Sequence, residues 1–119
     1  MSKKVLICDD EEGIRESLKL ILSDHFELIV ADSGKQCLEC LSHSKDIGAV
    51  LLDIKMPKVS GMDILEQIKA KHASVPVIMV TGYRSVETAQ EATSRGAQGY
   101  IVKPFKADEI VAAVKRVMK

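Results

Sequence analysis

Short apolar runs alternate five times with longer stretches of helical periodicity, and this alternation restricts the possible fold more than any other feature of the sequence. The runs that predict strands are 4–8, 27–32, 49–52, 75–81 and 99–102. The stretches that predict helices are 12–24, 33–43, 61–72, 85–96 and 106–119. Such alternation is typical of an open parallel sheet with helices on both faces, because right-handed crossovers leave few other topologies.

The composition narrows the range of functions. The 119 residues suit one domain over 1–119, which is long enough to bury a core without disulfides. The 17 basic residues balance the 17 acidic ones, so we do not expect direct binding to nucleic acid or to an anionic membrane. The N-terminal stretch turns acidic too early for a signal peptide, and no apolar run has the length of a membrane span. We therefore expect a cytoplasmic protein with reduced cysteines.

The cysteines and histidines favour a structural interpretation. Cys37 and Cys40 have CxxC spacing, but they fall inside a helical pattern rather than between a strand and a helix. We interpret them, together with Cys8 in the first predicted strand, as packing residues. The three histidines each lie near a predicted helix end, where the helix dipole favours a cation, and none is assigned a chemical role.

Polar residues of different chemical types follow four of the predicted strands. Asp9 and Asp10 follow the first strand, Asp53 follows the third, Thr81 ends the fourth and Lys103 follows the fifth. The carboxyl ends of parallel strands meet at one edge of a sheet, which is also where open α/β sheets bind ligands. We therefore expect three carboxylates, a hydroxyl and an ammonium group to converge on one crevice.

This set of groups suits phosphoryl transfer. Clustered carboxylates repel one another unless a cation neutralises them, and Mg²⁺ is the hard, oxygen-binding cation that fits best. Asp53, from a central strand, is the candidate nucleophile and would form an acyl phosphate. Thr81 could donate a hydrogen bond to a phosphoryl oxygen, and Lys103 could neutralise another.

Four motifs, in this order and at these spacings, resemble the receiver domains of two-component response regulators. They are DD after the first strand, LLDIKMPKVSG around the third, VTGY after the fourth and GYIVKPF around the fifth. The resemblance covers the whole chain. It implies an α/β, flavodoxin-like (βα)5 fold of three layers, with a five-stranded parallel sheet in the order 2-1-3-4-5.

The resemblance also implies roles for individual residues. Asp53 would be the phosphoacceptor that becomes 4-aspartylphosphate, and Thr81 and Lys103 would keep the roles given above. Asp10 would be the more direct Mg²⁺ ligand and Asp9 would act through water. The backbone carbonyl of Lys55 would be a further ligand, together with Asp53. The domain would catalyse the gain and loss of its own phosphoryl group, so it is not expected to be an enzyme with a turnover substrate.

Further implications concern the way a signal leaves the site. Tyr100 matches the aromatic residue that rotates inward from solvent when Thr81 moves towards the phosphoryl group, which would remodel the face formed by the fourth helix, fifth strand and fifth helix. The Lys103–Pro104 peptide bond would be cis. Ser60 stands where many family members carry an acid, a departure that should matter little.

The expected partner is a sensor histidine kinase or a histidine phosphotransfer protein. It would dock over the active-site edge and touch Ile14, Ser17, Pro104 and Phe105, because an in-line transfer brings the donor against the surfaces that flank Asp53. The stretch VTGYRSVETAQEA is similar to receivers attached to σ54-type transcription regulators. The sequence therefore leaves open a stand-alone regulator or part of a longer one, and it does not identify the output domain.

Two rival functions stay open at this stage. A phosphatase of the haloacid dehalogenase type also uses an aspartate nucleophile with Mg²⁺, but it requires a second acid two residues later, where this chain has Lys55. A receiver-like binding module that has lost phosphorylation is the other rival. The intact set of Asp10, Asp53, Thr81 and Lys103 counts against it.

Overall fold

The computed structural model of the protein describes residues 3–118, in which five strands alternate with five helices. The strands are β1 (Lys4–Cys8), β2 (Glu27–Ala31), β3 (Ile47–Leu52), β4 (Val77–Thr81) and β5 (Gly99–Val102). The helices are α1 (Glu12–Leu22), α2 (Gly34–His43), α3 (Gly61–Lys71), α4 (Val86–Ser94) and α5 (Ala107–Val117). The alternation predicted from the periodicity is therefore confirmed.

All five strands run parallel in one sheet with the order β2-β1-β3-β4-β5. This confirms the flavodoxin-like fold and the strand order that the resemblance implied. The order reverses between β1 and β3, so the loops that follow these strands diverge and leave a crevice. We call the side of the sheet where the strands end the carboxyl edge, and the side where they begin the amino edge.

Helices cover both faces of the sheet, with α2, α3 and α4 on one face and α1 and α5 on the other. The core on the first face includes Leu6, Val50, Met79, Cys37, Leu65 and Ala92. The core on the second face includes Val5, Leu51, Ile78, Leu18, Ile110 and Val114. Burial on both faces explains why the strand sequences are continuously apolar rather than alternating.

The cysteines have the packing role that we predicted. Cys8 and Cys37 are buried in the core on the first face, and Cys40 is half-buried against the same core. Their thiols are all free. Burial also raises the pKa of the Cys40 thiol, which keeps it protonated and unreactive.

Local signals in the sequence place several helix ends. Ser33 caps α2, because its Oγ atom accepts a hydrogen bond from the Gln36 N–H at 3.2 Å. Gly96 follows α4 with φ of 107°, the left-handed conformation that glycine adopts readily beyond a helix C-terminus. No helix within residues 3–118 combines the length and the apolar character needed to cross a bilayer.

Two strands begin at residues other than those predicted. The predicted start of β3 is Ala49, but β3 begins at Ile47. Gly48 is part of the strand, and a Cβ atom there would lie 2.6 Å from Met118 Cε and 2.7 Å from Lys3 Cβ, so the glycine makes room for its neighbours. β4 begins at Val77 rather than at residue 75. The intervening proline has no N–H for a ladder bond.

Candidate functional site

The predicted site residues meet at the carboxyl edge of the sheet. Asp9 follows β1 and Asp53 follows β3, and a 3.1 Å hydrogen bond from the Asp53 N–H to the Cys8 carbonyl sets the two strand ends side by side. Thr81 ends β4, and its carbonyl accepts a 2.8 Å hydrogen bond from the N–H of Lys103, which follows β5. Because β1, β3, β4 and β5 are consecutive in the sheet, these side chains form one row.

The ammonium group of Lys103 holds the row together electrostatically. Its Nζ atom lies 3.0 Å from Asp9 Oδ2 and 3.0 Å from Asp53 Oδ2. A third carboxylate oxygen, Glu11 Oε1, lies 3.3 Å from the same nitrogen. Charge-assisted hydrogen bonds of this kind are about twice as strong as neutral ones. Lys103 therefore stabilises two carboxylates that burial alone would disfavour.

The surroundings shift the pKa values of both partners. Burial raises the pKa of the Asp9 carboxyl, and the hydrogen bonds from the Glu11 N–H and from Lys103 offset this only in part. Burial alone would lower the pKa of Lys103, but its hydrogen bonds to Asp9 and Asp53 and the charges of these carboxylates outweigh burial and raise it. Lys103 is therefore charged at neutral pH, while burial disfavours the ionised form of Asp9.

Three aspartates at this edge could hold a metal ion. Asp9, Asp10 and Asp53 each offer an oxygen atom, and the three atoms lie within 4.8 Å of one another. Asp10 is exposed, whereas the other two are buried, so the cluster opens to solvent on one side. A donor set made only of carboxylate oxygens, with solvent access for water ligands, fits Mg²⁺ better than a soft transition metal.

The loop between β3 and α3 fixes the position of Asp53. Its Oδ1 atom accepts a hydrogen bond from the Lys55 N–H at 3.2 Å. The Gly61 N–H donates to the Ile54 carbonyl at 2.7 Å, which brings the start of α3 against this strand end. A Cβ atom on Gly61 would overlap the Asp53 carbonyl oxygen and lie 2.7 Å from Ile54 Cα, so only glycine fits. Ser60 caps α3 through its Oγ atom, so the helix start is intact without the family's usual acid.

Thr81 and Asp53 share a crevice with Lys103. The crevice has a volume of about 310 Å³, and Lys55 and Tyr83 also line it. The Thr81 Oγ1 atom accepts a 3.5 Å hydrogen bond from the Tyr83 N–H, and a hydroxyl that accepts can still donate its own proton. The volume is enough for a phosphoryl group together with several water molecules of about 30 Å³ each.

The tyrosine of the predicted switch is already engaged. Tyr100, which we expect to rotate inward when Thr81 moves towards a phosphoryl group, is half-buried here, and its hydroxyl donates to the Tyr83 carbonyl at 2.8 Å. Burial raises the pKa of this hydroxyl, and the charge of Asp53 raises it further, so it is a stable donor at neutral pH. Tyr100 therefore links β5 to the loop between β4 and α4.

Two residues that sequence reasoning missed also contact Lys103. Glu11 contacts its ammonium group, and Arg84 Nη2 donates to its backbone carbonyl at 3.2 Å. The acidic run after Asp10 could have drawn attention to Glu11, but no sequence signal points to Arg84. The Lys103–Pro104 bond is cis, as the resemblance implied.

The residues predicted to face a phosphodonor protein come from two segments of the chain. Ile14 and Ser17 are on α1, and Pro104 and Phe105 are on the loop that precedes α5. Ile14 and Phe105 are half-buried and pack against the same core, whereas Ser17 and Pro104 are exposed. The four positions therefore share the face of the sheet that carries α1 and α5.

The sequence also resembles proteins with known roles. One relative, a putative NtrX-like response regulator from Rickettsia bellii, is 43% identical over 115 residues, which cover 94% of this chain and 24% of that protein. The regulatory protein AtoC from Escherichia coli is 35% identical, with 98% of this chain and 25% of AtoC covered. This chain thus spans about a quarter of the length of these relatives.

Solved structures share the fold at similar identities. The receiver domain of NtrX from Brucella abortus superposes with a TM-score of 0.90 at 35% identity, covering 96% of this chain and 97% of that one. A CheY-like response regulator receiver domain protein from Methanospirillum hungatei gives a TM-score of 0.91 at 31% identity, covering 98% and 93%. The profile of the response regulator receiver domain family matches residues 5–115. The chain belongs to this family and is a response regulator domain of a two-component system.

Proposed function

We propose that the chain is a phosphorylation-dependent switch in which Asp53 accepts a phosphoryl group from a histidine kinase or a histidine phosphotransfer protein. The observation that carries this proposal is the environment of Asp53: a buried carboxylate at the crevice, with Oδ2 3.0 Å from the ammonium of Lys103. A buried charge with a cationic partner and an open approach suits a nucleophile better than a structural ion pair.

The transfer follows from these positions. A carboxylate oxygen of Asp53 attacks the phosphorus of a phosphohistidine, the P–N bond breaks, and the imidazole leaves with the electron pair. Lys103 and the Thr81 hydroxyl lie where they can bind phosphoryl oxygens as charge develops on them. Hydrolysis reverses the state, because water attacks phosphorus, the O–P bond breaks, and Asp53 is again a carboxylate.

Mg²⁺ would be held by Asp10, Asp53 and the backbone carbonyl of Lys55, with Asp9 acting through water. When bound, the ion would neutralise charge on the transferring phosphoryl group. The mutual approach of the carboxylate oxygens within 4.8 Å supports this assignment. Lys103 already offsets part of the repulsion between Asp9 and Asp53, so the protein can keep these acids close together before a cation binds.

Phosphorylation would be communicated through Thr81 and Tyr100. A phosphoryl group that accepts a hydrogen bond from the Thr81 hydroxyl would draw Thr81 towards it and strain the 3.5 Å bond that Thr81 accepts from the Tyr83 N–H, and Tyr100 bonds the carbonyl of that same residue. We therefore expect a population shift of the α4–β5–α5 face between two existing states. A change from 1:99 to 99:1 requires roughly 5.5 kcal/mol. A few charge-assisted hydrogen bonds of about 1.5–3 kcal/mol each can supply this.

The phosphodonor would dock across Ile14, Ser17, Pro104 and Phe105, because an in-line attack brings the donor against surfaces that flank Asp53. The longer relatives support an output domain beyond a receiver of 1–119, and the AtoC and NtrX-like proteins favour a σ54-type transcription regulator. Such a regulator would act in the cytoplasm.

The test is phosphorylation by acetyl phosphate with Mg²⁺, which requires no partner protein. We expect one base-labile phosphoryl group per chain, detected by intact mass, and none on Asp53→Asn, because an amide cannot attack phosphorus. Asp46→Asn is the matched control, since Asp46 pairs with Lys4 at the amino edge and should leave uptake unchanged.

The outcomes also separate the rival functions. Label on another residue of Asp53→Asn would contradict the assignment of the phosphoacceptor. A wild-type chain that takes up no label would favour a receiver that has lost phosphorylation. Continuous release of phosphate from many unrelated phosphomonoesters would favour a phosphatase.

A further inference from the structure

All three donors of the Lys103 ammonium group face carboxylates. An ammonium group carries three N–H bonds and no acceptor. Its three partners here are Asp9 Oδ2 at 3.0 Å, Asp53 Oδ2 at 3.0 Å and Glu11 Oε1 at 3.3 Å. A phosphoryl group on Asp53 also needs a hydrogen bond from this ammonium, so one of the present bonds must be given up.

The three carboxylates differ sharply in how unfavourable it is to break their bonds to Lys103. The side chains of Asp9 and Asp53 are 2% and 4% exposed, whereas that of Glu11 is 63% exposed. While a phosphoryl group approaches, Asp9 and Asp53 are both still carboxylates, and a buried carboxylate that loses its cation is left desolvated and unpaired, which is strongly unfavourable. An exposed carboxylate exchanges its cation for water at little cost. Glu11 is therefore the partner that Lys103 can release.

We propose that Glu11 is a displaceable counter-ion of Lys103 whose place on the ammonium is taken by a phosphoryl oxygen. This inference rests on the proposed phosphorylation of Asp53. Glu11 occupies the third donor in the unphosphorylated state and lines the same crevice as Asp53 and Thr81. It is a positioning residue, since it acts on the reaction through Lys103 and makes no bond to phosphorus.

The position of Glu11 determines the direction of its effect. Its carboxylate competes with the phosphoryl group for Lys103, and its charge repels an approaching phosphate dianion. Both effects oppose phosphorylation. The repulsion disappears when the carboxylate becomes an amide, and the competition weakens because a neutral amide oxygen is a poorer acceptor for the ammonium group. Competition requires direct contact, whereas repulsion requires only charge, so variants can separate the two effects.

The experiment compares the wild-type chain with Glu11→Gln, Glu11→Asp and Glu12→Gln at Mg²⁺ concentrations that saturate each protein. Two quantities are measured: the affinity for beryllofluoride, a phosphoryl mimic, by NMR titration, and the initial rate of phosphorylation by acetyl phosphate. Glu12 is the charge-matched control, because it is exposed and lies outside the 4 Å contacts of Lys103 Nζ within the described residues.

We expect Glu11→Gln to increase both quantities by about two- to fivefold, the range that corresponds to an exposed ion pair. Glu11→Asp keeps the charge but loses reach, so it should increase the affinity for beryllofluoride in the same direction. Glu12→Gln should leave both quantities at the wild-type value. A structural role for Glu11 would instead lower both quantities, because a disordered Lys103 would bind the mimic less well.

Three results would overturn the proposal. The first is an unchanged or lowered affinity in Glu11→Gln, and the second is an equal increase in Glu12→Gln, which would assign the effect to net charge rather than to contact. The third is a wild-type chain that takes up no phosphoryl group, which would remove the proposed function and this inference together. A phosphorylated wild type with an unaffected Glu11→Gln would remove this inference alone.

Discussion

The two edges of the sheet differ in how far their polar side chains are buried. At the carboxyl edge, Asp9, Asp53 and Thr81 are buried, and they are the buried polar and charged residues found among residues 3–118. At the amino edge, exposed side chains satisfy the backbone: Gln98 Oε1 accepts from the Val77 N–H at 2.8 Å. The polar groups of the amino edge keep access to water, while those of the carboxyl edge are partly deprived of it.

This difference indicates that the carboxyl edge is a binding site, whereas the polar side chains of the amino edge stabilise the fold. An exposed side chain that bonds a strand end satisfies a backbone group without burying a charge. Clustered, buried carboxylates are unfavourable in a folded protein unless a ligand binds them, so they indicate a binding site. The position of Lys103 between Asp9 and Asp53 reduces this penalty.

The largest expected effect on stability contrasts two glycines, one at each edge. In Gly61→Ala the new Cβ meets backbone atoms of Asp53 and Ile54, which cannot move without shifting β3. In Gly48→Ala it meets side-chain atoms of Met118 and Lys3, of which the methionine terminus at least is flexible. We expect Gly61→Ala to lower the free energy of unfolding by about 2–3 kcal/mol and Gly48→Ala by less than about 1 kcal/mol. Urea denaturation of both variants measures this difference.

A second readout tests whether Gly61 positions the site. Gly61→Ala should also lower the rate of phosphorylation by acetyl phosphate. The new Cβ would overlap the backbone carbonyl of Asp53 and so displace the residue that accepts the phosphoryl group. Gly48→Ala, at the far edge, should leave that rate unchanged. Equal losses of stability in the two variants would mean that the carboxyl edge is no more rigid than the amino edge.

The fold was largely predictable because burial on both faces gives each strand an unbroken apolar run. The start of β3 was missed since Gly48 resembles a break in such a run. What places it in the strand is the pairing of Ile47 with Lys4 and of Ala49 with Val5 on β1, residues distant in the sequence. A local pattern does not report tertiary contacts of this kind.

The site was predictable to the extent that strand ends determine it. Asp9, Asp53 and Lys103 converge as the parallel arrangement required. The contacts of Glu11 and Arg84 with Lys103 were not predictable, because both side chains are long and exposed and their directions depend on neighbouring loops. Periodicity places a residue on an element, but it does not give the direction of a flexible side chain.

A smaller effect, with the opposite sign, is expected from Asp9→Asn in buffer with a metal chelator. Burial raises the pKa of Asp9, so its ionised form is disfavoured in the folded state. Replacing it with a neutral isostere should increase the free energy of unfolding at pH 7 by up to about 1 kcal/mol. Asp46→Asn, which removes an exposed carboxylate at the amino edge, should change it by less than about 0.5 kcal/mol.

The gain from Asp9→Asn should depend on pH in a defined direction. Between the usual pKa of 3.8 and the raised native pKa, the folded wild type binds more protons than the unfolded chain. The free energy of unfolding of the wild type therefore falls as the pH rises through this window. Asp9→Asn has no carboxyl group at this position, so its stability does not fall for this reason. The advantage of Asp9→Asn should be greatest at neutral pH and shrink on acidification. A decrease in stability at pH 7 would show that the bond to Lys103 outweighs the burial of the charge.

The smallest effect on the site is expected from a change at the amino edge. Gln98→Ala removes the acceptor of the Val77 N–H but leaves the 2.8 Å backbone bond from the Gln98 N–H to the Val77 carbonyl. We expect a loss of about 0.5–1 kcal/mol in the free energy of unfolding, since water can partly replace an exposed amide. Gln98→Glu keeps an oxygen acceptor and should retain most of the stability. Both variants should be phosphorylated at the wild-type rate. A slower rate in Gln98→Ala would mean that the two edges are coupled, because the start of β4 would then influence Thr81 at its other end.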